Sequence, residues 1–218
     1  GYREYQNGQV TYQKQIAEAE TQLADGKQKL ADGQAEYESG RTQYQAGLRK
    51  WESELNSGKE QLNGAKATVA GINGILKSYE TVSVADPADF PEQVQQTIAA
   101  AQLLAAADGS DGAEFANLLT GYIQAPAEQK PALKAAAVQA VGAINANLST
   151  QENGLNDGFA KLNALKEGKT AEGVTYTEEE QKLVDSGKLL DETAQKLAAA
   201  KQEMTEKEAL LASEKEKG

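Results

Sequence analysis

Residues 23–51 read LADGKQKLADGQAEYESGRTQYQAGLRKW, with Gly26, Gly33, Gly40 and Gly47 at seven-residue intervals in a stretch that otherwise favours helix. A glycine inside a helix costs roughly 0.5–1 kcal/mol relative to alanine, so four of them cost about 2–4 kcal/mol if they act independently. The interval supplies a reason for that cost. Three residues before each glycine stands a large residue, namely Leu23, Leu30, Tyr37 and Tyr44, and the same phase continues to Ile16 on one side and Trp51 on the other. This is a heptad repeat with large side chains at position a and glycine at position d. Such a seam admits a partner helix more closely than leucine at both positions would. The glycines therefore read as interface positions.

The apolar spine extends in both directions through four-residue steps. Tyr5 and Tyr12 lie upstream of Ile16, and Leu55, Leu62, Val69 and Leu76 lie downstream of Trp51. Steps of four are stutters, which unwind a supercoil locally without ending the helix. No proline interrupts residues 2–79, so the pattern predicts one helix of roughly 115 Å at the usual rise per residue.

The C-terminal part carries the same signature. Leu183, Leu190, Leu197, Met204 and Leu211 are spaced by seven, with small residues Ser186, Thr193 and Ala200 at d, and Val141, Leu148, Leu155 and Leu162 share a heptad spacing upstream. Two arms of similar length around a different middle predict an all-α fold: a long antiparallel coiled-coil hairpin, or stalk, with a small helical head at its tip. The expected division is arm 1 over 1–79, head over 80–140 and arm 2 over 141–218. With both chain ends level, facing positions add up to about 219, an estimate that follows from antiparallel arms of equal length. Ser186 and Thr193 then become the small faces opposite the glycines.

A loop interrupts arm 2 near 168–176, where Gly168, Gly173 and the stretch VTYT break the pattern. Thr177 with Glu180 reads as a capping box that restarts the helix. In the level register this loop packs beside Tyr44 and against Trp51. In the middle, Asp89 with Glu92 and Asp111 with Glu114 read as the starts of two amphipathic helices, separated by the turn Asp108-Gly109-Ser110-Asp111-Gly112. Core candidates for this head are Phe90, Val94, Ile98, Leu103, Leu104, Phe115, Leu118, Leu119, Tyr122, Ile123 and Leu133.

Composition narrows the chemistry. The chain has 218 residues, 39% of them hydrophobic and 6% aromatic, and a formal charge of -11. Dispersed lysines and arginines among so many acids argue against nucleic-acid binding and against a polybasic membrane patch. With neither cysteine nor histidine, thiolate chemistry, zinc sites of the usual kind and imidazole acid–base catalysis are excluded. No apolar run approaches the length of a membrane span, and no signal peptide is present, which reads as a soluble piece excised from something longer. Glu178, Glu179 and Glu180 read as a solvated first helical turn, the segment 108–112 as a turn lacking a calcium loop's spacing, and the sequon at Asn147 as chance on a helix. Tyr37, Tyr44 and Trp51 read as seam residues ahead of a ligand-stacking strip. The expectation is a protein with no enzymatic activity, no cofactor and no metal.

The tandem L-x-x-G and Y-x-x-G heptads of LADGKQKLADGQAEYESGRTQYQAGL resemble the large extracellular insert of FtsX-like (MacB-type) ABC transporter permeases of Gram-positive bacteria. The resemblance covers residues 5–65 and, through LNDGFAKL and LVDSGKLL, part of the second arm; similar heptads occur in the YhgE/Pip family and in MMPL-type transporters. It implies an outward-facing stalk inserted between two membrane helices, at the extracellular face of the cell membrane. Implied partners are the rest of the permease, a separate ATPase subunit and an extracellular protein or substrate at the head. The tyrosines and the alanine-rich stretches 99–107 and 135–143 leave oligomeric state open, the expectation being a monomeric fragment and pairing of two copies in the full-length protein. The alternative is a surface adhesin or receptor-type module binding a host, phage or cell-wall partner, and a third reading is a cytoplasmic coiled-coil scaffold.

Overall fold

A computed structural model of the chain describes residues 1–217, and every regular element among them is helical. The order is α1 (Tyr2–Ser78), a 3-10 turn (Pro87–Asp89), α2 (Glu92–Ala107), α3 (Gly112–Gln124), α4 (Lys130–Lys166) and α5 (Glu178–Lys217). The chain forms two compact units, one made of residues 1–51 with 163–217 and the other of Glu52–Leu162. These boundaries differ from the expected 1–79, 80–140 and 141–218. The reason is packing: Leu62, Val69, Ile72, Ile75 and Leu76 of α1 and Val141, Ile144 and Leu148 of α4 belong to the same apolar core as the middle helices. What reads as arm in the sequence is partly core wall.

In the first unit, α1 and α5 run antiparallel. Seven residues forward on α1 is matched by seven back on α5, since Gly26, Gly33, Gly40 and Gly47 lie under Met204, Leu197, Leu190 and Leu183 respectively. Lys27 pairs with Glu208 and Lys215 with Glu20 across the helices, and the Tyr12 hydroxyl donates to the Glu214 carbonyl at 2.6 Å. Ile16, Leu23, Leu30, Tyr37, Tyr44, Trp51, Leu197, Met204 and Leu211 are all half-buried, while most of their sequence neighbours are exposed. A two-helix seam can do no better, because each large side chain is covered from one side only.

The level register of the sequence reading is corrected here. The glycines face large residues and not Ser186 and Thr193, because an antiparallel layer sets position a of one helix over position d of the other. Large then falls on small in each layer, and the register follows that match. The interruption has defined ends. At the close of α4, Gly168 adopts φ 71, Lys169 N–H donates to Ala164 O at 2.9 Å and Gly168 N–H to Leu165 O at 3.0 Å, the Schellman pattern that needs a left-handed residue. At the start of α5, Thr177 N–H donates to Glu180 Oε2 at 2.9 Å and Glu180 N–H to Thr177 Oγ1 at 3.2 Å, a reciprocal capping box.

The second unit holds a three-dimensional core. Leu119, Tyr122, Ile123 and Phe115 of α3 are buried with Ile72 of α1, Ala101 and Ala105 of α2 and Ala137 of α4. Asp111 caps α3 by accepting from Ala113 and Glu114 N–H groups at 2.9 and 3.1 Å. The expected cap at Asp89 is not made. Pro91 occupies the position before α2, and Asp86 instead caps the short 3-10 turn. Leu103, a core candidate, is 73% exposed. The inward stripe of α2 passes through Val94, Ile98, Ala101 and Ala105, a 3.6-residue phase that leaves Leu103 outside. Alanine suits it because α3 comes very close: a methyl group added at Gly112 would lie 2.2 Å from the Gln102 carbonyl oxygen.

Candidate functional site

Three arrangements can be built from the residues upward: the glycine seam, a cavity at the helix interruption, and a buried polar group in the second unit. In the seam, the space left by each glycine is filled by a side chain from the partner helix. An added methyl would sit 2.6 Å from Met204 Sδ at Gly26, 3.1 Å from Leu197 Cδ2 at Gly33, 3.3 Å from Leu190 Cδ2 at Gly40 and 2.6 Å from Leu183 Cδ2 at Gly47. Tyr44 returns the arrangement, with its hydroxyl 3.0 Å from where a methyl at Gly187 would stand. The seam residues Ile16 and Leu211 border a smaller cleft of about 320 Å³ between α1 and α5. The seam has shape and little chemistry.

The cavity is different in kind. It has a volume of about 680 Å³ and lies in the first unit, among α1, the end of α4 with its following loop, and the start of α5. Its apolar and aromatic wall comes from Tyr37, Tyr44, Leu48, Leu165, Val184 and Leu190. Leu48, Leu165 and Val184 are buried, at 7%, 6% and 3% exposure. Three helical segments meet here where elsewhere in this unit two do, which buries residues that the heptad pattern leaves at its margin. Burial raises the Tyr44 phenol above its ordinary value, and Asp191 adds to the rise. Its hydroxyl makes a long hydrogen bond of 3.5 Å to the Leu165 carbonyl.

The rest of the wall is charged. Arg41, Arg49, Lys166, Lys169 and Lys188 line the cavity together with a single acid, Asp191. Arg41 has Glu38 at 3.8 Å and Lys169 has Glu167 at 3.4 Å, all four exposed. The loop that carries Lys169 and Thr170 is held by the Ala171 N–H, which donates to the Tyr176 hydroxyl at 2.9 Å. Sequence reasoning expected the loop near Tyr44, and both line this cavity; Trp51, its other expected neighbour, is half-buried and not among the lining residues. It missed the cations altogether. They stand on α1, at the end of α4, on the loop and on α5, and only the fold brings them to one cavity.

In the second unit, the Tyr122 hydroxyl donates to the Leu76 carbonyl at 2.5 Å, and Lys130 Nζ donates to the Tyr122 and Ile123 carbonyls at 2.7 and 3.4 Å. The Lys130 ammonium also stands 4.8 Å from the Tyr122 ring centre, a cation–π distance. Burial lowers the lysine and raises the tyrosine relative to their ordinary values. The cation lies at the C-terminal end of α3, where the helix dipole and unsatisfied carbonyls favour it. This group ties α1, α3 and α4 together, a structural role. Of the acids singled out in the sequence, Glu180 sits in its cap, Glu178 pairs with Lys182 at 3.6 Å and Asp108 accepts from Asn147. No group of three acidic residues placed to hold a metal ion occurs among the described residues, and no described helix is long and apolar enough to cross a membrane.

Compared with known protein families, curated proteins and solved structures, the chain matches none.

Proposed function

We propose that the chain is a non-catalytic, extracytoplasmic insert of a membrane transporter permease of the FtsX-like ABC type. The helix pair of the first unit would continue from two membrane helices, and the second unit would engage a partner or substrate. Movement would pass between them along α1, which is continuous from Tyr2 to Ser78. One observation carries this reading: the beginning of α1 and the end of α5 run side by side, tied by Tyr12 to Glu214 and by Glu20 to Lys215. Two membrane anchors would require that placement. The glycine seam supports it as well, since large side chains seated over glycine hold a close antiparallel pair in register.

The test is the flanking sequence of the parent gene together with protease protection on intact cells. Apolar spans of about 20 residues on both sides, and cleavage of the domain from outside the cell, are the expected results. A single anchor would favour a surface adhesin or receptor-type module. Protection from external protease in intact cells, with cleavage after lysis, would overturn both readings in favour of a cytoplasmic scaffold.

A further inference from the structure

The cavity at the helix interruption carries an inference that does not depend on membrane attachment. The chain has 33 acidic and 22 basic residues, yet this wall presents five cations and one carboxylate. Arg49 and Lys188 have no carboxylate within ion-pair distance among the described residues, and the pairs made by Arg41 and Lys169 are exposed and long. Beneath the cations lie Tyr44, Leu48 and Val184, an apolar floor of the size and composition of small-molecule sites, which run to roughly 300–1,000 Å³. A cationic rim over an apolar floor distinguishes an amphiphile from a free anion and from a neutral apolar molecule.

We propose that this cavity binds an anionic amphiphile, an apolar body ending in a phosphate or carboxylate. The body packs on Tyr44, Leu48 and Val184, and the anion is held by Arg41, Arg49 and Lys188, the guanidinium groups offering paired donors to its oxygens. Lys169, on the loop between the two positive-φ glycines Gly168 and Gly173, adds a further cation to the lining.

Titration calorimetry on the intact chain tests this, with octyl phosphate as probe and inorganic phosphate, octylammonium and octyl glucoside in parallel. Saturable one-to-one binding of octyl phosphate is expected, with affinity rising about fourfold per methylene from butyl through hexyl to octyl phosphate. Inorganic phosphate should bind at least tenfold more weakly, and octylammonium should not saturate. The double variant Arg49→Glu/Lys188→Glu should lose at least tenfold in affinity with an unchanged helical circular dichroism spectrum, since both side chains are exposed; should it fail to fold, Lys188→Gln reads the same loss more mildly. Lys201→Glu, an exposed site on α5 away from the cavity, should leave affinity within twofold. Equal binding of octyl phosphate and octylammonium, equal binding of inorganic phosphate, no binding of octyl phosphate, or undiminished affinity in the folded cavity variants would each overturn the proposal.

Discussion

The first unit is built on small residues and the second on large ones that are fully enclosed. In the first, glycines on α1 receive Met204, Leu197, Leu190 and Leu183, and those side chains stay half-buried. In the second, Leu119, Tyr122, Ile123 and Ile72 have no exposed surface; glycines receive side chains there too, Gly58 that of Leu155 and Gly158 that of Leu55, and at Gly112 the Gln102 backbone leaves no room for a side chain. Closeness of approach holds the one, and the other adds to it a fully enclosed core. The difference predicts how each responds to the same kind of change.

The largest effect should come from emptying the enclosed core. Leu119→Ala should cost about 2–5 kcal/mol, the range for truncating a buried leucine, whereas Leu190→Ala should cost about 1–2 kcal/mol because only part of its surface is covered. Urea unfolding followed by circular dichroism compares the two directly, and equal costs would break the contrast. Filling the close approach comes next. Gly26→Leu/Gly33→Leu should destabilise the helix pair by about 2–4 kcal/mol through overpacking of two layers, read as a lower melting temperature and loss of protection of the α5 amides from exchange. A gain in stability would mean that these glycines face solvent.

Alkaline pH probes the polar part of the second unit. The Tyr122 phenol is raised by burial, pulled down by Lys134 and raised further by Glu80, so the stability held by its neutral form is complete below the ordinary value of about 10 and is lost as pH climbs through the higher folded-state value. Lys130 has the opposite sign. Its folded-state value is lowered by burial, so its cost is complete below that value and fades as pH rises toward the ordinary lysine range. Tyr122→Phe should cost about 1–3 kcal/mol at neutral pH by leaving the Leu76 carbonyl unpartnered, and should flatten the decline in stability above about pH 10. The smallest effect is expected at Gly64, which has open space around it; Gly64→Ala should stabilise α1 by about 0.5–1 kcal/mol, and the sign alone separates this glycine from those of the seam.

Much of this architecture is legible in the residues. The heptads of 16–51 and 183–211 name both sides of the helix pair, and Thr177 with Glu180 marks the restart of α5 to the residue. Register was not legible, because the heptad phase repeats every seven residues and allows several alignments; the large-on-glycine match selects among them only once antiparallel layers are considered. Leu103 misled by being large, while Ala101 and Ala105, small but in phase, form the buried side of α2. Lys130 was invisible as a core residue, since nothing in a sequence says that helix-end carbonyls will receive it. The cavity was half visible: the loop and Tyr44 were expected together, but Arg49 and Lys188 gain meaning only from the fold.

The register is the claim on which seam and cavity both rest, and the chain contains no cysteine of its own. A short bismaleimide cross-linker should join Lys27→Cys to Glu208→Cys, the ion-paired positions, in high yield within one chain. Lys27→Cys with Glu192→Cys, the residue that level chain ends would bring there, should stay unlinked, since 16 residues of helix separate it from Glu208 by roughly 24 Å. Linking through Glu192 and not Glu208 would contradict the account.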